Sequence, residues 1–172
     1  MPEAATVVLG LGNPLMGDDG LGLAVLERLC AEWDVPEAVE LVDGGTWGMT
    51  LLPLIEDATH LVLIDAIRTG APPGTVVELE RERLPRYLAH KLSPHQIDLK
   101  EVLALAELRG TLPDQTVAIG AEPGEVVLST VLTPPLQEAV EAVVLAVVAR
   151  LASWGHECRR RPVPEPIAPC MS

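Results

Sequence analysis

The sequence predicts an α/β fold, a three-layer α/β/α sandwich with a sheet between two layers of helices. Continuous apolar runs, typical of parallel strands buried on both faces, occur at residues 5–12 and 60–65. Segments with helical spacing, roughly 10–15 residues long, alternate with such runs. Only 2% of the residues are aromatic, so the core must consist mainly of Val, Leu, Ile and Ala, which suits helices packed on parallel strands.

The first half of the chain follows this alternation closely. Residues 5–12 form a strand that ends in glycines, and a helical pattern then runs from Gly20 until Pro36 stops it. Three further elements are predicted: a strand at 38–43, a short helix at 48–56 and a strand at 60–65. Together they form a β-α-β-α-β unit with right-handed crossovers.

The alternation loosens in the second half. A turn at residues 70–74 leads into a strand at 76–79 too soon for a helical crossover, so we expect this strand to run antiparallel. A helix at 98–108 and a strand at 116–120 follow. Thr133 as N-cap and Pro134 in the first turn then predict a final helix, which ends at Gly155.

The predicted domain organisation has two parts. Residues 1–155 form a single α/β domain, which is an ordinary size for one core. Residues 156–172 are rich in proline, which prevents regular structure, so we expect a flexible tail there. The consecutive arginines at 159–161 are expected to be solvated within that tail.

Charge and hydropathy exclude several classes of protein. The net charge is −13, and a chain so poor in cations is not expected to bind nucleic acid. Since no run of about 18 uncharged apolar residues occurs, we expect no membrane insertion. The N-terminus lacks the basic segment of a secretory signal, so a cytoplasmic location is predicted.

Acidic residues follow three predicted strands at the point where each ends. Asp18 and Asp19 come after the first strand, Asp43 ends the second and Asp65 ends the third, while His95 comes from a separate loop. Ligands bind at the carboxyl ends of the strands in such sheets. Asp19, Asp65 and His95 therefore form a candidate metal set, because carboxylate oxygens and an imidazole nitrogen suit a divalent ion.

Purely structural roles explain the same residues equally well. Asp18 or Asp19 could cap the following helix, Asp65 could bind loop N–H groups, and His95 could be a hydrogen-bonded structural imidazole. Spacing alone leaves both interpretations open.

Two other chemistries fit the sequence poorly. Gly10-Leu-Gly12 begins a dinucleotide fingerprint, but Leu15 occupies the third glycine position and two acids lie where a pyrophosphate would bind. Ser93 and His95 could form a nucleophile and base, but side chains two residues apart in an extended loop point to opposite sides.

Four ordered motifs together resemble those of the nickel–iron hydrogenase maturation endopeptidases. The motifs are Gly10-x-Gly12-Asn13-x-Leu15-x-x-Asp18-Asp19-Gly20-x-Gly22, Asp43-Gly44-Gly45-Thr46, Asp65-Ala66 and Ser93-Pro94-His95-Gln96. The resemblance implies a phosphorylase/hydrolase-like fold with a mixed five-stranded sheet, order 2-1-3-5-4, in which strand 4 is antiparallel. It also implies an endopeptidase that removes the C-terminal extension of a hydrogenase large-subunit precursor after nickel insertion.

The resemblance further implies the site residues and the partners. Asp19, Asp65 and His95 would be both catalytic and metal-contacting, with Asp19 replacing the Glu of some members. The substrate cleft would be formed by Gly12, Asn13, Asp18, Asp43, Gly44, Gly45 and Thr46. Nickel would be supplied by the precursor, no organic cofactor is expected, and the chain is expected to act as a monomer. Whether nickel activates water or only positions the substrate stays open.

Two alternatives to this function follow from the same motifs. A non-catalytic, nickel-dependent chaperone could bind the precursor without cutting it. Gly10-Leu-Gly-Asn-Pro14 also resembles the start of peptidyl-tRNA hydrolases, but their early histidine is missing here, since the next histidine is His60.

Overall fold

The computed structural model describes residues 5–44, 48–89 and 97–163, and it contains one five-stranded sheet. The strands are β1 (Thr6–Gly10), β2 (Val39–Asp43), β3 (His60–Ala66), β4 (Val76–Leu79) and β5 (Gln115–Ala121). Their order is β2-β1-β3-β5-β4. Only β4 pairs antiparallel with its neighbour in this sheet, so the predicted order and the predicted reversed strand are both confirmed.

Helices cover both faces of the sheet, which confirms the three-layer sandwich. They are α1 (Leu21–Glu32), α2 (Leu52–Asp57), α3 (Leu84–Ala89), α4 (Ile97–Leu108) and α5 (Pro134–Ser153). Helices α1 and α5 pack on one face through apolar side chains spaced three or four residues apart. Helices α2, α3 and α4 pack on the other face around a second apolar cluster.

Strand β3 lies at the centre of the sheet and carries Asp65. Its side chains alternate between the two faces, as the pleat requires. Val62 and Ile64 enter the core under α1 and α5, whereas Leu61 and Leu63 enter the core under α2, α3 and α4. The same alternation directs Asp65 towards the second face, where α3 lies.

The described part of the chain after residue 155 pairs with the segment that follows α1. Arg159–Arg160 pair antiparallel with Trp33–Asp34 at the end of α1. The Arg161 N–H also donates a hydrogen bond to the Glu32 carbonyl oxygen at 2.8 Å. The flexible tail and the domain boundary at residue 155 both stay predictions.

Charge complementarity explains why this segment lies against the domain. Arg160 forms ion pairs with Glu32 at 3.1 Å and with Glu141 at 2.7 Å, and Arg161 pairs with Asp34 at 2.7 Å. The arginine run thus meets acidic side chains of α1, α5 and the segment after α1. Such pairing depends on distant residues, so the local proline content did not reveal it.

Helix α3 was not predicted from the sequence. The segment Leu84–Ala89 is short and carries Pro85 next to charged residues, so no apolar period stands out. Pro85 lies in the first helical turn, where a missing N–H costs nothing. Among the residues that the structure describes, no helix has both the length and the apolar character needed to span a bilayer.

Candidate active site

The carboxylate of Asp65 is buried and held by two donors. Its Oδ1 accepts the Ala66 N–H at 2.8 Å, and its Oδ2 accepts the hydroxyl of Tyr87. The residue itself is 0% exposed. Because each oxygen has a donor, the carboxylate is fixed in one orientation at the carboxyl end of β3.

Tyr87 links the two acids of the predicted metal set. Burial, the charge and hydrogen bond of Asp65, and the charge of Asp19 together raise the pKa of Tyr87 well above its ordinary value. The tyrosine stays protonated and donates its hydrogen to a carboxylate.

Asp19 is positioned by the turn that follows β1. The Asn13 N–H donates to its Oδ2 at 2.8 Å. Gly12 has φ +103°, and a Cβ there would lie 1.9 Å from the Asp19 carbonyl oxygen. Only glycine permits this close approach, so Gly12 determines where Asp19 is placed.

Asp18 has a structural role, while its part in the substrate cleft stays a prediction. Its carboxylate is 0% exposed and accepts the N–H groups of Gly124, Glu125 and Thr133, as well as the Thr133 hydroxyl, at 2.7–3.0 Å. Burial raises the pKa of Asp18, but these hydrogen bonds outweigh it and the net pKa is lowered. Asp18 thus joins the turn after β1 to the segment before α5.

Thr133 occupies the predicted N-cap position of α5 but does not cap with its side chain. Its hydroxyl donates to Asp18 instead, while its carbonyl oxygen accepts the first helical N–H groups. The helix begins at Pro134, as predicted.

The other predicted cleft residues have varied surroundings. The side-chain oxygen of Asn13 accepts the Leu15 N–H at 2.9 Å, which stabilises the turn. The Gly44 N–H donates to the Gly10 carbonyl oxygen at 2.9 Å and extends the β1–β2 pairing. Asp43 is exposed and borders a cavity of about 360 Å³ beside α1. Gly45 and Thr46 lie outside the described residues.

His95 also lies outside the described residues, together with Ser93. Within residues 5–44, 48–89 and 97–163, no group of three His, Cys, Asp or Glu side chains could hold a metal ion. The structure brings the turn that carries Asp19 into contact with the strand that carries Asp65, and the three-residue metal set stays a prediction.

Tyr87 is the site residue that the sequence interpretation missed. It is the only tyrosine of a chain that has no phenylalanine, and that rarity was the available signal. Helix α3, which carries Tyr87, was not predicted either. No local pattern therefore indicated that this tyrosine lies beside the end of β3.

Solved endopeptidases share this fold. The hydrogenase maturating endopeptidase HybD from E. coli matches with a TM-score of 0.83 and 34% identity, covering 91% of this chain and 98% of that one. A solution structure of an endopeptidase from Escherichia coli matches with a TM-score of 0.80 and 32% identity, covering 91% of this chain and 98% of that one. The fold is thus that of a peptide hydrolase.

Sequence comparisons give the family. A family model described as hydrogenase maturation protease matches residues 23–150. The Hydrogenase 2 maturation protease of Escherichia coli (strain K12) is 35% identical over 152 residues, which cover 88% of this chain and 93% of that protein. The Hydrogenase expression/formation protein HupD of Thiocapsa roseopersicina is 38% identical over 157 residues, covering 90% and 71% respectively. The chain belongs to the hydrogenase maturation protease family.

Proposed function

We propose that this protein removes the C-terminal extension of a nickel–iron hydrogenase large-subunit precursor, and that it recognises nickel already bound in that precursor. We further propose that it acts as a monomer in the cytoplasm. Family membership makes the chain a peptide hydrolase. It therefore favours cleavage over both a purely chaperone role and the esterase role of peptidyl-tRNA hydrolases.

The observation that carries the proposal is the buried carboxylate of Asp65, held by Tyr87 at the end of β3, where this strand contacts the turn Gly17–Gly20 that carries Asp19. Asp65 accepts the Tyr87 hydroxyl hydrogen, and the charge of Asp19 acts on the same tyrosine. Carboxylate oxygens on neighbouring elements at the end of a sheet suit a divalent cation.

The metal in this proposal belongs to the substrate. Precursor thiolates would hold nickel, and Asp19, Asp65 and His95 would complete its coordination, so that a precursor without metal binds poorly. The nickel would polarise the scissile carbonyl or activate a water, or else only position the substrate. In the second case Asp19 or Asp65 takes the proton from the attacking water.

The test is a processing assay on purified precursor with and without nickel. We expect mass spectrometry to show a product shortened at its C-terminus from the nickel-loaded precursor, and an unchanged mass from the nickel-free precursor. Unchanged mass in both reactions would leave only a binding role. Equal cleavage in both would refute nickel recognition but not proteolysis.

The site assignment predicts a separate result. Asp19→Asn and His95→Ala should abolish processing because each removes a proposed nickel ligand, while circular dichroism shows an intact fold. Glu37→Gln, at an exposed acid outside the site, serves as the matched control. Wild-type turnover by either site variant would contradict the assignment.

A further inference from the structure

A cavity of about 860 Å³ adjoins the Tyr87–Asp65 pair. Its walls come from the segment after β3, the end of β4, the segment that leads into α3, and α3 itself. The residues that line it are Ile67, Arg68, Thr69, Leu79, Glu82, Arg83, Arg86 and Tyr87. Its volume is within the range of roughly 300–1,000 Å³ found for ligand sites.

The arginines of this cavity differ from the other arginines in their pairing. Arg68, Arg83 and Arg86 form no ion pair with any acid in the described part of the chain. The other arginines are each within 4.0 Å of an acidic side chain: Arg28, Arg81, Arg109, Arg150, Arg159, Arg160 and Arg161.

This distribution is unexpected for so acidic a chain. Acids outnumber bases by 25 to 12, so a surface arginine ordinarily has a partner available. Among the described residues, the cavity wall has one acid, Glu82, against three guanidinium groups. Glu122 lies just behind the wall, but its carboxylate accepts hydrogen bonds from the N–H and hydroxyl of Thr69 and from the Gly70 N–H. The cavity therefore has an excess of positive charge.

We propose that this cavity binds acidic side chains in the C-terminal extension of the precursor. The inference rests on the proposed function and specifies which part of the substrate lies beside the site. Guanidinium groups bind carboxylates through paired hydrogen bonds. Because three unpaired cations exceed the charge of one terminal carboxylate, an acidic stretch of peptide fits the wall better than a chain end alone.

Tyr87 connects this cavity with the cleavage site. Its hydroxyl donates to Asp65, and the same residue forms part of the cavity wall. A peptide cut beside Asp65 can therefore continue directly into the cavity. The C-terminal extension is the part of the precursor that can enter the cavity, because the rest of the precursor is the subunit that holds the metal.

The test compares charge removal on both partners. The cavity variant is the triple substitution Arg68→Gln/Arg83→Gln/Arg86→Gln. It is assayed on two nickel-loaded precursors. One keeps its own extension, and in the other every Asp and Glu of the extension is replaced by Asn and Gln. We expect kcat/KM on the acidic extension to fall roughly tenfold or more, mainly through KM, and the loss to shrink at high salt. On the neutral extension, wild type and variant should be equal.

A matched control separates the cavity from the overall charge. Arg28→Gln/Arg109→Gln/Arg159→Gln removes the same number of positive charges at ion-paired sites outside the cavity. It should process both precursors like wild type. An equal loss in the two triple variants would overturn the proposal, because general charge would then explain the effect.

The outcomes also distinguish this inference from the proposed function. If wild-type protein cuts neither nickel-loaded precursor, the proposed function fails. If wild-type protein cuts them and the kcat/KM of the cavity variant falls by the same factor on both extensions, only the inference fails.

A direct binding measurement identifies the source of the carboxylates. A synthetic acidic extension peptide, N-acetylated and C-terminally amidated, should bind wild-type protein in a calorimetric titration, and its Asn/Gln counterpart should not. Binding only by the peptide with a free C-terminus would assign the cavity to the chain end and overturn the proposal.

Discussion

The hydroxyl of Tyr87 donates its hydrogen to the buried carboxylate of Asp65, across the interface between helix α3 and the central strand β3. The backbone N–H of Ala66 donates to the other oxygen of the same carboxylate. Asp65 is thus oriented by a side chain that lies 22 positions away along the chain. The orientation of this acid depends on the packing of a six-residue helix.

Replacing Tyr87 by Phe tests this relationship. The variant keeps the ring but leaves one buried carboxylate oxygen without its hydroxyl donor, so unfolding should be easier by about 1–3 kcal/mol. Precursor processing should fall at least tenfold, because the orientation of Asp65 is no longer fixed. Urea denaturation and the processing assay measure the two effects.

Thr116→Val provides the control for this variant. Thr116 is buried and its hydroxyl donates to the Pro113 carbonyl oxygen. Its replacement should lower stability in the same way and leave the processing rate unchanged. Equal losses of activity in both variants would show that Tyr87 acts only through general stability.

Asp18→Asn is expected to destabilise the fold in a pH-dependent way. The pKa of Asp18 is lowered from 3.8 in the folded protein, so its contribution is fully present above that value and is lost as the pH falls through the folded pKa. The variant should be about 2–3 kcal/mol less stable at pH 7, because charged hydrogen bonds to the Thr133 segment are lost. The difference should shrink below 3.8.

Urea denaturation of both proteins over a pH series measures this difference. A constant gap between wild type and variant down to the lowest pH would show that the charge of Asp18 contributes nothing.

Gly12→Ala tests how the turn after β1 positions Asp19. A Cβ at Gly12 would meet the Asp19 carbonyl oxygen at 1.9 Å, so the turn must shift and processing should be lost. Gly70→Ala is the matched control, because Gly70 also has positive φ, +86°, but a Cβ there meets no atom within 4 Å. Both variants should lose about 1–2 kcal/mol through backbone strain.

The difference between these two glycine variants isolates the contact with Asp19. We expect Gly12→Ala to lose a further 1–3 kcal/mol, roughly the cost of overpacking, together with its activity. Full processing by Gly12→Ala would refute the positioning role of this glycine.

The order of the elements was predictable because each strand and long helix carries its own period. The run through Asp65 has no polar interruption, and the apolar stripe of α5 repeats at helical spacing from Leu136 to Leu151. Such patterns depend on neighbours along the chain. The pairing of Arg160 with Glu141 and the hydrogen bond from Thr133 to Asp18 depend on residues far apart, so local patterns contain no sign of them.

Two adjacent acids show most clearly what local sequence patterns do not predict. Asp18 and Asp19 are chemically identical in the sequence, and the spacing placed both near the end of β1. Tertiary packing surrounds Asp18 with donors from the segment before α5, whereas the Asp19 carboxylate accepts the Asn13 N–H in the turn after β1.

The sequence alone therefore determined the α/β class, the strand-end location of the acids and the resemblance to a family, since these depend on local periodicity and motif spacing. Only the tertiary structure decided which acid anchors a loop, that Tyr87 holds Asp65, and which arginines form no ion pair within the described part of the chain. Hydrogen bonds and ion pairs require groups to meet within a few ångströms, and the folded chain alone brings them that close.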